Sequence, residues 1–169
     1  MSILGRKILG LVNKPRKREY KEPIPPYEKA TNIGVLYTYE GEKKEESINQ
    51  LVEELGKHKH IQVLCFVNQK EVPSLNRATL KIDQISSWGK LNSPETESFL
   101  DTSFDYLLHL DFELNEIAQT LLNRTKAKCR VGFHSETATN YYELMIGINK
   151  SAGTANFAEQ MVKYIKAIR

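Results

Sequence analysis

The sequence lacks the glycine-rich segments with which many nucleotide-binding proteins hold phosphate groups. Neither GxGxxG nor GxxxxGK[ST] follows any predicted strand, which argues against the usual dinucleotide site and against a P-loop. The GxSxG turn of the α/β-hydrolases is missing as well. These absences lower the expectation that the protein is an enzyme without excluding one, and we assign no catalytic residue.

Long hydrophobic runs and cysteines are also scarce. No stretch approaches the roughly 18 consecutive apolar residues of a membrane-spanning helix. The chain has 2 cysteines, Cys65 and Cys129, and neither belongs to a CxxC pair. Because each lies inside a predicted strand, we expect buried, reduced thiols rather than zinc or redox chemistry. This usage favours a cytoplasmic location, and the sequence predicts no cofactor and no metal.

Acidic residues are scarce at one end of the chain, where basic residues are concentrated. Residues 1–29 contain eight Lys or Arg and three Asp or Glu, a net charge of +5. Residues 30–169 contain sixteen and eighteen, a net charge of −2. A nucleic-acid-binding surface spread over the domain is therefore not supported, and we expect no nucleic acid partner.

Residues 1–18, here called the N-terminal arm, form a short basic amphipathic segment. Arg6 and Lys7 fall largely opposite an apolar side in a helical projection. Three interpretations are open. The apolar side packs on the domain or on a second copy, or the arm lies on an anionic membrane surface, or it is mostly disordered because Gly5 and Gly10 weaken a helix. The apolar residues are Ile3, Leu4, Ile8, Leu11 and Val12, and the basic residues that follow are Lys14, Arg16, Lys17 and Arg18.

Prolines mark the boundary between the arm and the globular part of the chain. Residues 19–32 include Pro23, Pro25 and Pro26, which favours a semi-extended linker. We therefore place the basic arm and linker at residues 1–29 and a single α/β domain at residues 30–169.

The stretch from Phe104 to His134 has the clearest structural pattern in the sequence. It begins with a run of large apolar residues that is typical of a strand buried on both faces. Apolar residues then recur at helical spacing from Leu114 to Leu122, and a second strand follows up to His134. Strands joined by a helix in this way lie parallel, so we predict a βαβ unit, with Asp111 as a helix cap.

The remaining periodicity extends this unit to a whole domain. The fold class is α/β: a three-layer, Rossmann-like, open and mainly parallel sheet with helices on both faces. The predicted strands are residues 33–39, 61–67, 78–85, 104–110, 128–134 and 142–148, and the predicted helices are residues 43–57, 93–102, 114–122 and 156–168.

Ligands of such sheets bind outside the carboxyl ends of the strands, so the residues there are the candidate ligand-binding crevice. Asp111, Glu113, His134 and Glu136 have the side chains of a hard-metal site or an acid–base pair. The alternative is that Asp111 caps a helix and Glu136 opens a loop, and that His109 has a single buried hydrogen-bond partner. The candidate residues are Thr38, Tyr39, Glu40, Asn68, Trp88, Asp111, His134, Ser135 and Glu136.

The order of these segments resembles an uncharacterised family of small proteins from Bacteroidetes-type bacteria, a domain of unknown function. The resemblance spans nearly the whole chain and implies no activity. It is carried by the basic arm and by NIGVLY, VLCFVNQKEVP, WGK, FDYLLHLDFELN, AKCRVGFHSE and YYELMIGI. More faintly, residues 104–136 resemble the N-terminal half of heptosyltransferase-type glycosyltransferases, which implies a Rossmann-like half without the half that holds most of the sugar-nucleotide site.

Two functions follow as expectations. The first is a non-enzymatic binding or scaffold domain whose basic arm holds an unknown protein partner, a second copy of the chain or, through residues 1–18, an anionic membrane surface. The alternative is a small-ligand-binding protein or an enzyme, related to sugars or nucleotides, that uses the crevice at the strand ends. The first implies a cytoplasmic protein that is peripheral to a membrane where the arm binds lipid.

Overall fold

The structure, a computed structural model, describes residues 22–69, 74–86 and 89–169 and confirms the predicted fold class. These residues form a sheet of 6 strands in the order β3-β2-β1-β4-β5-β6, and each neighbouring pair runs parallel. The strands are β1 Asn32–Thr38, β2 His60–Val67, β3 Ala78–Lys81, β4 Tyr106–His109, β5 Cys129–Phe133 and β6 Leu144–Ile146. The helices are α1 Glu42–Gly56, α2 Pro94–Asp101, α3 Glu116–Arg124 and α4 Gly153–Lys166.

The sheet separates two apolar cores, because its strands carry large apolar residues on both faces. On one face, Ile48 of α1 and Phe157 of α4 pack over Val35, and these two helices contact each other. On the other face, Phe99 of α2 and Leu121 of α3 belong to a second core. The helices thus cover both sides of the sheet, as the sequence predicts.

The predicted βαβ unit at the centre of the chain is confirmed. β4 and β5 pair in parallel, with Tyr106 opposite Cys129, and α3 connects them. The helix starts later than predicted, and its N-cap is not Asp111: the side chain of Asn115 accepts a hydrogen bond from the Ala118 N–H at 2.9 Å. The expectation that Asp111 caps a helix was therefore wrong.

Of the other predicted ends of helices and strands, the start of α2 is confirmed and the end of β3 is not. Ser93 caps α2 by accepting from the Thr96 N–H at 3.2 Å, and Pro94 is its first residue, as predicted. The third strand is shorter than predicted, because the chain turns into a 3-10 helix at Ile82–Gln84. Among the described helices, none combines the length and hydrophobicity that crossing a bilayer requires.

The linker segment that the structure describes is fastened to the domain at the amino ends of the strands. The hydroxyl of Tyr106 donates to the Pro25 carbonyl at 2.5 Å. The ammonium group of Lys59 donates to the carbonyl oxygens of Tyr27 and Ala30 at 2.8 and 2.6 Å and lies over the Tyr27 ring. Residues 22–30 therefore approach the sheet from the end opposite the candidate crevice.

A buried ion pair joins β5 to the segment before β6. The guanidinium group of Arg130 and the carboxylate of Glu143 are 2.6 Å apart, with 3% and 4% of their side chains exposed. The same carboxylate accepts from the Arg130 backbone N–H at 2.6 Å, and the guanidinium also donates to the Leu122 carbonyl. Because both charges are shielded from water, the attraction of each for the other must compensate for the loss of hydration.

Removing one partner of this pair is expected to destabilise the protein strongly. Glu143→Ala leaves the Arg130 guanidinium buried without a counter-charge, which costs about 3–5 kcal/mol of the free energy of unfolding. Denaturant unfolding measures the loss. The matched control is Glu54→Ala in the half-exposed pair with Lys166, where about 0.5 kcal/mol is expected. If both variants lose the same free energy of unfolding, the buried pair Arg130–Glu143 contributes no more to stability than an exposed pair, and the prediction is wrong.

Candidate functional site

The carboxyl ends of β1 and β4 meet at one buried carboxylate. Leu36 lies opposite His109 in the parallel register, so the residues that follow each strand come together. Asp111, 4% exposed, accepts from the Thr38 N–H at 2.9 Å and from the Thr38 hydroxyl at 2.6 Å. The Lys44 ammonium donates to the same carboxylate at 2.7 Å. Two separate elements, β1 and α1, are thereby tied to the end of β4.

His109 extends this group of side chains across the sheet. Its Nε2 lies 3.2 Å from a carboxylate oxygen of Asp111, and its Nδ1 lies 2.6 Å from the hydroxyl oxygen of Tyr142. An ionised carboxylate only accepts, so Nε2 is the donor, and a hydroxyl satisfies Nδ1 in either protonation state because it both donates and accepts. His109 thus has two buried partners, and the prediction of a single one was wrong. We call Thr38, Lys44, His109, Asp111 and Tyr142 the polar junction.

The charges of the polar junction are set by its burial and by its internal contacts. Burial by itself would raise the pKa of Asp111, but the attraction and hydrogen bond of His109, followed by those of Lys44, hold that pKa well below its usual range. Burial, reinforced by the negative charge of Asp111, raises the pKa of Tyr142. At neutral pH the junction therefore contains an ionised carboxylate and a protonated phenol.

A glycine makes room for the tyrosine of the junction. A Cβ atom on Gly132 of β5 would lie 2.2 Å from Cζ of Tyr142, far inside the contact distance of two carbon atoms. The Tyr142 ring thus lies directly against the backbone of β5, and it stacks with the His109 ring at a centroid distance of 6.0 Å. A larger residue at position 132 would displace Tyr142 from His109.

Among the residues that the structure describes, the void beside the polar junction is too small for a water molecule, whereas a neighbouring crevice is open. The void beside His109 and Asp111 has a volume of about 0 Å³ for water-sized molecules. An open crevice of about 350 Å³ lies next to it, at the carboxyl end of β2 and the start of α3. Residues lining it include Phe66, Asn68, Ile82, Leu114, Asn115 and Gln119.

The structure brings together some of the predicted crevice residues. Thr38 and Asp111 are in direct contact, and Glu40 joins them through Lys44, whose ammonium lies 2.9 Å from the Glu40 carboxylate. Asn68 lines the open crevice. Tyr39 is 8% exposed and belongs to the apolar core, where its N–H donates to the Phe66 carbonyl.

The other predicted residues lie apart from this group. His134 and Glu136 are exposed, and the hydroxyls of Ser135 and Thr137 are 3.3 Å apart. Within residues 22–69, 74–86 and 89–169, no hydrogen bond or ion pair joins His134, Ser135 or Glu136 to Asp111. The same residues contain no group of three or more His, Cys, Asp or Glu side chains that is placed to hold a metal ion. Trp88 lies outside the described residues.

Three members of the junction were absent from the sequence-based candidates: Lys44, His109 and Tyr142. The sequence carried one usable signal for them. His109 stands in an otherwise apolar strand two residues before Asp111, and residues two apart on a strand share a face. Lys44 lies in a predicted amphipathic helix, on the face whose charged residues are expected to be exposed. Tyr142 lies at the start of a predicted strand, where a tyrosine is an ordinary residue.

The two cysteines lie buried in the sheet and are unpaired, as predicted. Burial is the main cause that raises the pKa of Cys65 to about 11 and that of Cys129 to about 12. Both thiols are therefore protonated at neutral pH and unsuited to nucleophilic attack.

Asparagine in place of Asp111 is expected to weaken the protein and to change its acid sensitivity. Asp111→Asn leaves the Lys44 ammonium buried without its main counter-charge, at a cost of about 3 kcal/mol. Because the folded-state pKa of Asp111 is depressed, its stabilising effect is complete above the unfolded-state pKa of about 3.9 and is lost as the pH falls through the folded-state value. The wild type should therefore lose more stability than the variant between about pH 5 and pH 2.

Denaturant unfolding as a function of pH measures this difference. The matched control is Asp83→Asn, which removes the same charge from an exposed position in the turn after β3. A wild-type acid slope that Asp111→Asn leaves unchanged would show that the pKa of Asp111 is not lowered by folding.

Comparison with known proteins identifies the chain at the level of its family alone. The comparisons with curated proteins and with solved structures found no match. The fainter likeness of residues 104–136 to heptosyltransferase-type glycosyltransferases therefore has no support. One family model matches residues 3–168, which includes nearly all of the arm as well as the sheet. The chain belongs to DUF6913, a family of unknown function.

Proposed function

We propose that this protein is a non-enzymatic binding or scaffold domain that uses its basic N-terminal arm to hold a partner with an acidic surface. The observation that carries the proposal is the closed polar junction. In sheets of this strand order, ligands bind where the order reverses, between β1 and β4. Here that position is filled by side chains of the protein itself, with no space for water-sized molecules beside His109 and Asp111.

The start of α1 also argues against an anionic ligand at this position. Nucleotide-binding domains of this order bind pyrophosphate at the amino end of the first helix. In this chain the first turn of α1 contains Glu42 and Glu45, whose carboxylates would repel phosphate. The ammonium of Lys44 does not offset them, because it is 6% exposed and bound to Asp111 and Glu40.

The distribution of charge points to the arm as the contact. Residues 1–29 carry a net charge of +5 and the rest of the chain −2, so an acidic partner is attracted to one end of the molecule. An anionic membrane surface and the acidic body of a second copy both have this character. The two buried, unpaired cysteines suit the reducing conditions of the cytoplasm, where we place the protein.

Removal of basic charge from the arm tests this function. The variant Arg16→Gln/Lys17→Gln/Arg18→Gln should weaken association about a hundredfold, since each basic residue near an anionic surface contributes about 1 kcal/mol and about 1.4 kcal/mol corresponds to a factor of ten. Co-sedimentation with vesicles containing phosphatidylserine, compared with phosphatidylcholine alone, measures lipid binding. Sedimentation velocity measures self-association.

The matched control removes the same charge from the body: Lys43→Gln/Lys81→Gln/Lys163→Gln, at three exposed positions. It should leave association unchanged. Equal weakening in both variants, or no association of the wild type with either probe at low salt, would overturn the role of the arm.

A second candidate function is supported by the open crevice at the carboxyl end of β2. Its volume of about 350 Å³ is within the range of small-molecule sites, and it combines the Phe66 ring with the amide of Asn68. Under this alternative, a nucleotide or sugar nucleotide raises the melting temperature by several degrees. Asn68→Ala should abolish the rise, whereas Gln69→Ala, at the exposed neighbouring position, should not. If no nucleotide or sugar nucleotide raises the melting temperature, this alternative function is excluded.

A further inference from the structure

The described sheet leaves the first half of β2 unpaired along one edge. β2 begins at His60, but its pairing with β3 starts only where Leu64 lies opposite Ala78. Residues 60–63 are exposed or half-buried, whereas residues 64–67 are buried. An open groove of about 700 Å³, which we call the edge groove, lies beside residues 60–63. The residues that define it are Val52, Ile61, Gln62, Val63, Arg77, Glu95, Ser98 and Phe99.

The backbone along the edge groove has polar groups available for another strand. The His60 N–H donates to the Thr31 carbonyl, so even-numbered residues of β2 direct their polar groups toward β1. Successive residues of a strand direct these groups to opposite sides, so Ile61 and Val63 direct theirs away from β1. Among the residues that the structure describes, none forms a hydrogen bond with the Ile61 N–H, the Ile61 carbonyl or the Val63 N–H.

One wall of the edge groove is apolar. Adjacent residues of a strand point to opposite faces of the sheet, and Ile61 and Val63 share the face that α1 covers. There they pack, together with Val52 of α1, against the apolar core. All three side chains are half-buried, so an apolar side chain laid over them would remove further apolar surface from water.

The opposite wall is polar and acidic. Gln62 points to the face that α2 covers, where its side-chain oxygen accepts from the Thr102 hydroxyl at 3.2 Å. Glu95 and Ser98 of α2 line this wall, and both are exposed. The Glu95 carboxylate accepts from the Ser93 hydroxyl at 3.2 Å, but it forms no ion pair with any residue that the structure describes.

The other charged residue of the edge groove already has a counter-charge. The guanidinium group of Arg77 donates to the Tyr37 hydroxyl at 3.2 Å and lies 3.8 Å from the Glu45 carboxylate. The charge of Glu95 is therefore left uncompensated, which favours a cation on the polar wall. It also disfavours a second copy that meets this edge with its own, because two like charges would then approach each other.

We propose that the edge groove binds an extended segment of a partner protein in which apolar and basic residues alternate. The N–H groups of Ile61 and Val63 are two residues apart, or about 6.7 Å along the strand, which is the repeat of any extended chain. A segment added here extends the sheet through backbone hydrogen bonds. Its apolar residues lie against Val52, and its basic residues face Glu95. This interaction requires neither the N-terminal arm nor the function proposed above.

Amide hydrogen exchange of the full chain, followed by NMR, tests the backbone pairing. The probe is the peptide acetyl-Val-Lys-Val-Lys-Val-amide. The Ile61 and Val63 amides should exchange rapidly in the free protein and about tenfold more slowly at a peptide concentration of about ten times Kd. The same peptide with N-methylated central amides keeps the side chains but cannot donate from those amides, and it should give no protection.

Three results of this experiment would overturn the proposal. The first is that the lysine peptide protects neither amide, and the second is that the N-methylated peptide protects them equally. The third is slow exchange in the protein without peptide. If that slow exchange is independent of protein concentration, the chain itself covers the edge, and if it appears only as the concentration rises, a second copy does.

Isothermal titration calorimetry tests the charge preference. The peptide acetyl-Val-Glu-Val-Glu-Val-amide should bind the wild type several-fold more weakly than the lysine peptide. Glu95→Gln should weaken binding of the lysine peptide about threefold, as expected for the loss of an exposed ion pair. The matched control, Glu159→Gln, removes the same charge from an exposed position on α4 and should have no effect. Equal affinities of the two peptides for the wild type, or equal effects of the two variants, would overturn the proposed basic partner.

Discussion

The arrangement of the domain depends on one carboxylate that is ionised where water does not reach it. Asp111 is 4% exposed, and burying an isolated charge of this kind costs several kcal/mol. The charge persists because its donors come from separate elements: the end of β1 at Thr38, the first turn of α1 at Lys44, and β4 at His109. Each donor must be in place for the carboxylate to be tolerated, so the polar junction fixes these elements relative to one another. Through Tyr142 the same constraint reaches the segment between β5 and β6.

The strand order of this protein and the local sequence at its first helix point in different directions. The order β3-β2-β1-β4-β5-β6 is that of dinucleotide-binding domains, but the connection from β1 to α1 lacks their glycine-rich turn. A single glycine, Gly41 with φ of 106°, allows the sharp entry into α1, and Lys44 then turns back toward the sheet. The ammonium group thereby satisfies a carboxylate of the protein itself instead of a phosphate. A shared topology therefore does not by itself imply a shared ligand.

The sequence was most informative where local pattern and burial coincide. The βαβ unit from β4 to β5 could be predicted because strands covered on both faces lose their polar residues and because the apolar side of α3 has helical spacing. The cap of α3 was mispredicted because Asp111 and Asn115 are both favourable caps. What decides between them is a set of contacts with Thr38 and Lys44, more than sixty positions away in sequence, which no local rule includes.

The candidate site was predictable in part for the same reason. Thr38, Glu40 and Asp111 could be grouped because neighbouring parallel strands end side by side. Lys44 was missed because a lysine on a charged helix face usually remains in water. Its burial follows from the ion pair with Asp111, which local sequence does not show. Tyr142 could not be placed, because its position against His109 depends on the missing side chain of Gly132, which is a tertiary contact.

The attachment of the linker at the amino ends of the strands separates two of the binding regions that we propose. Pro25 and Tyr27 are fixed there by Tyr106 and Lys59, whereas the open crevice lies beyond the carboxyl end of β2. The two ends of a seven-residue strand such as β1 are about 20 Å apart. If residues 1–18 hold a macromolecule and the crevice holds a small molecule, as proposed above, the two ligands would approach opposite ends of the sheet. Binding of both at once would then require no rearrangement of the sheet.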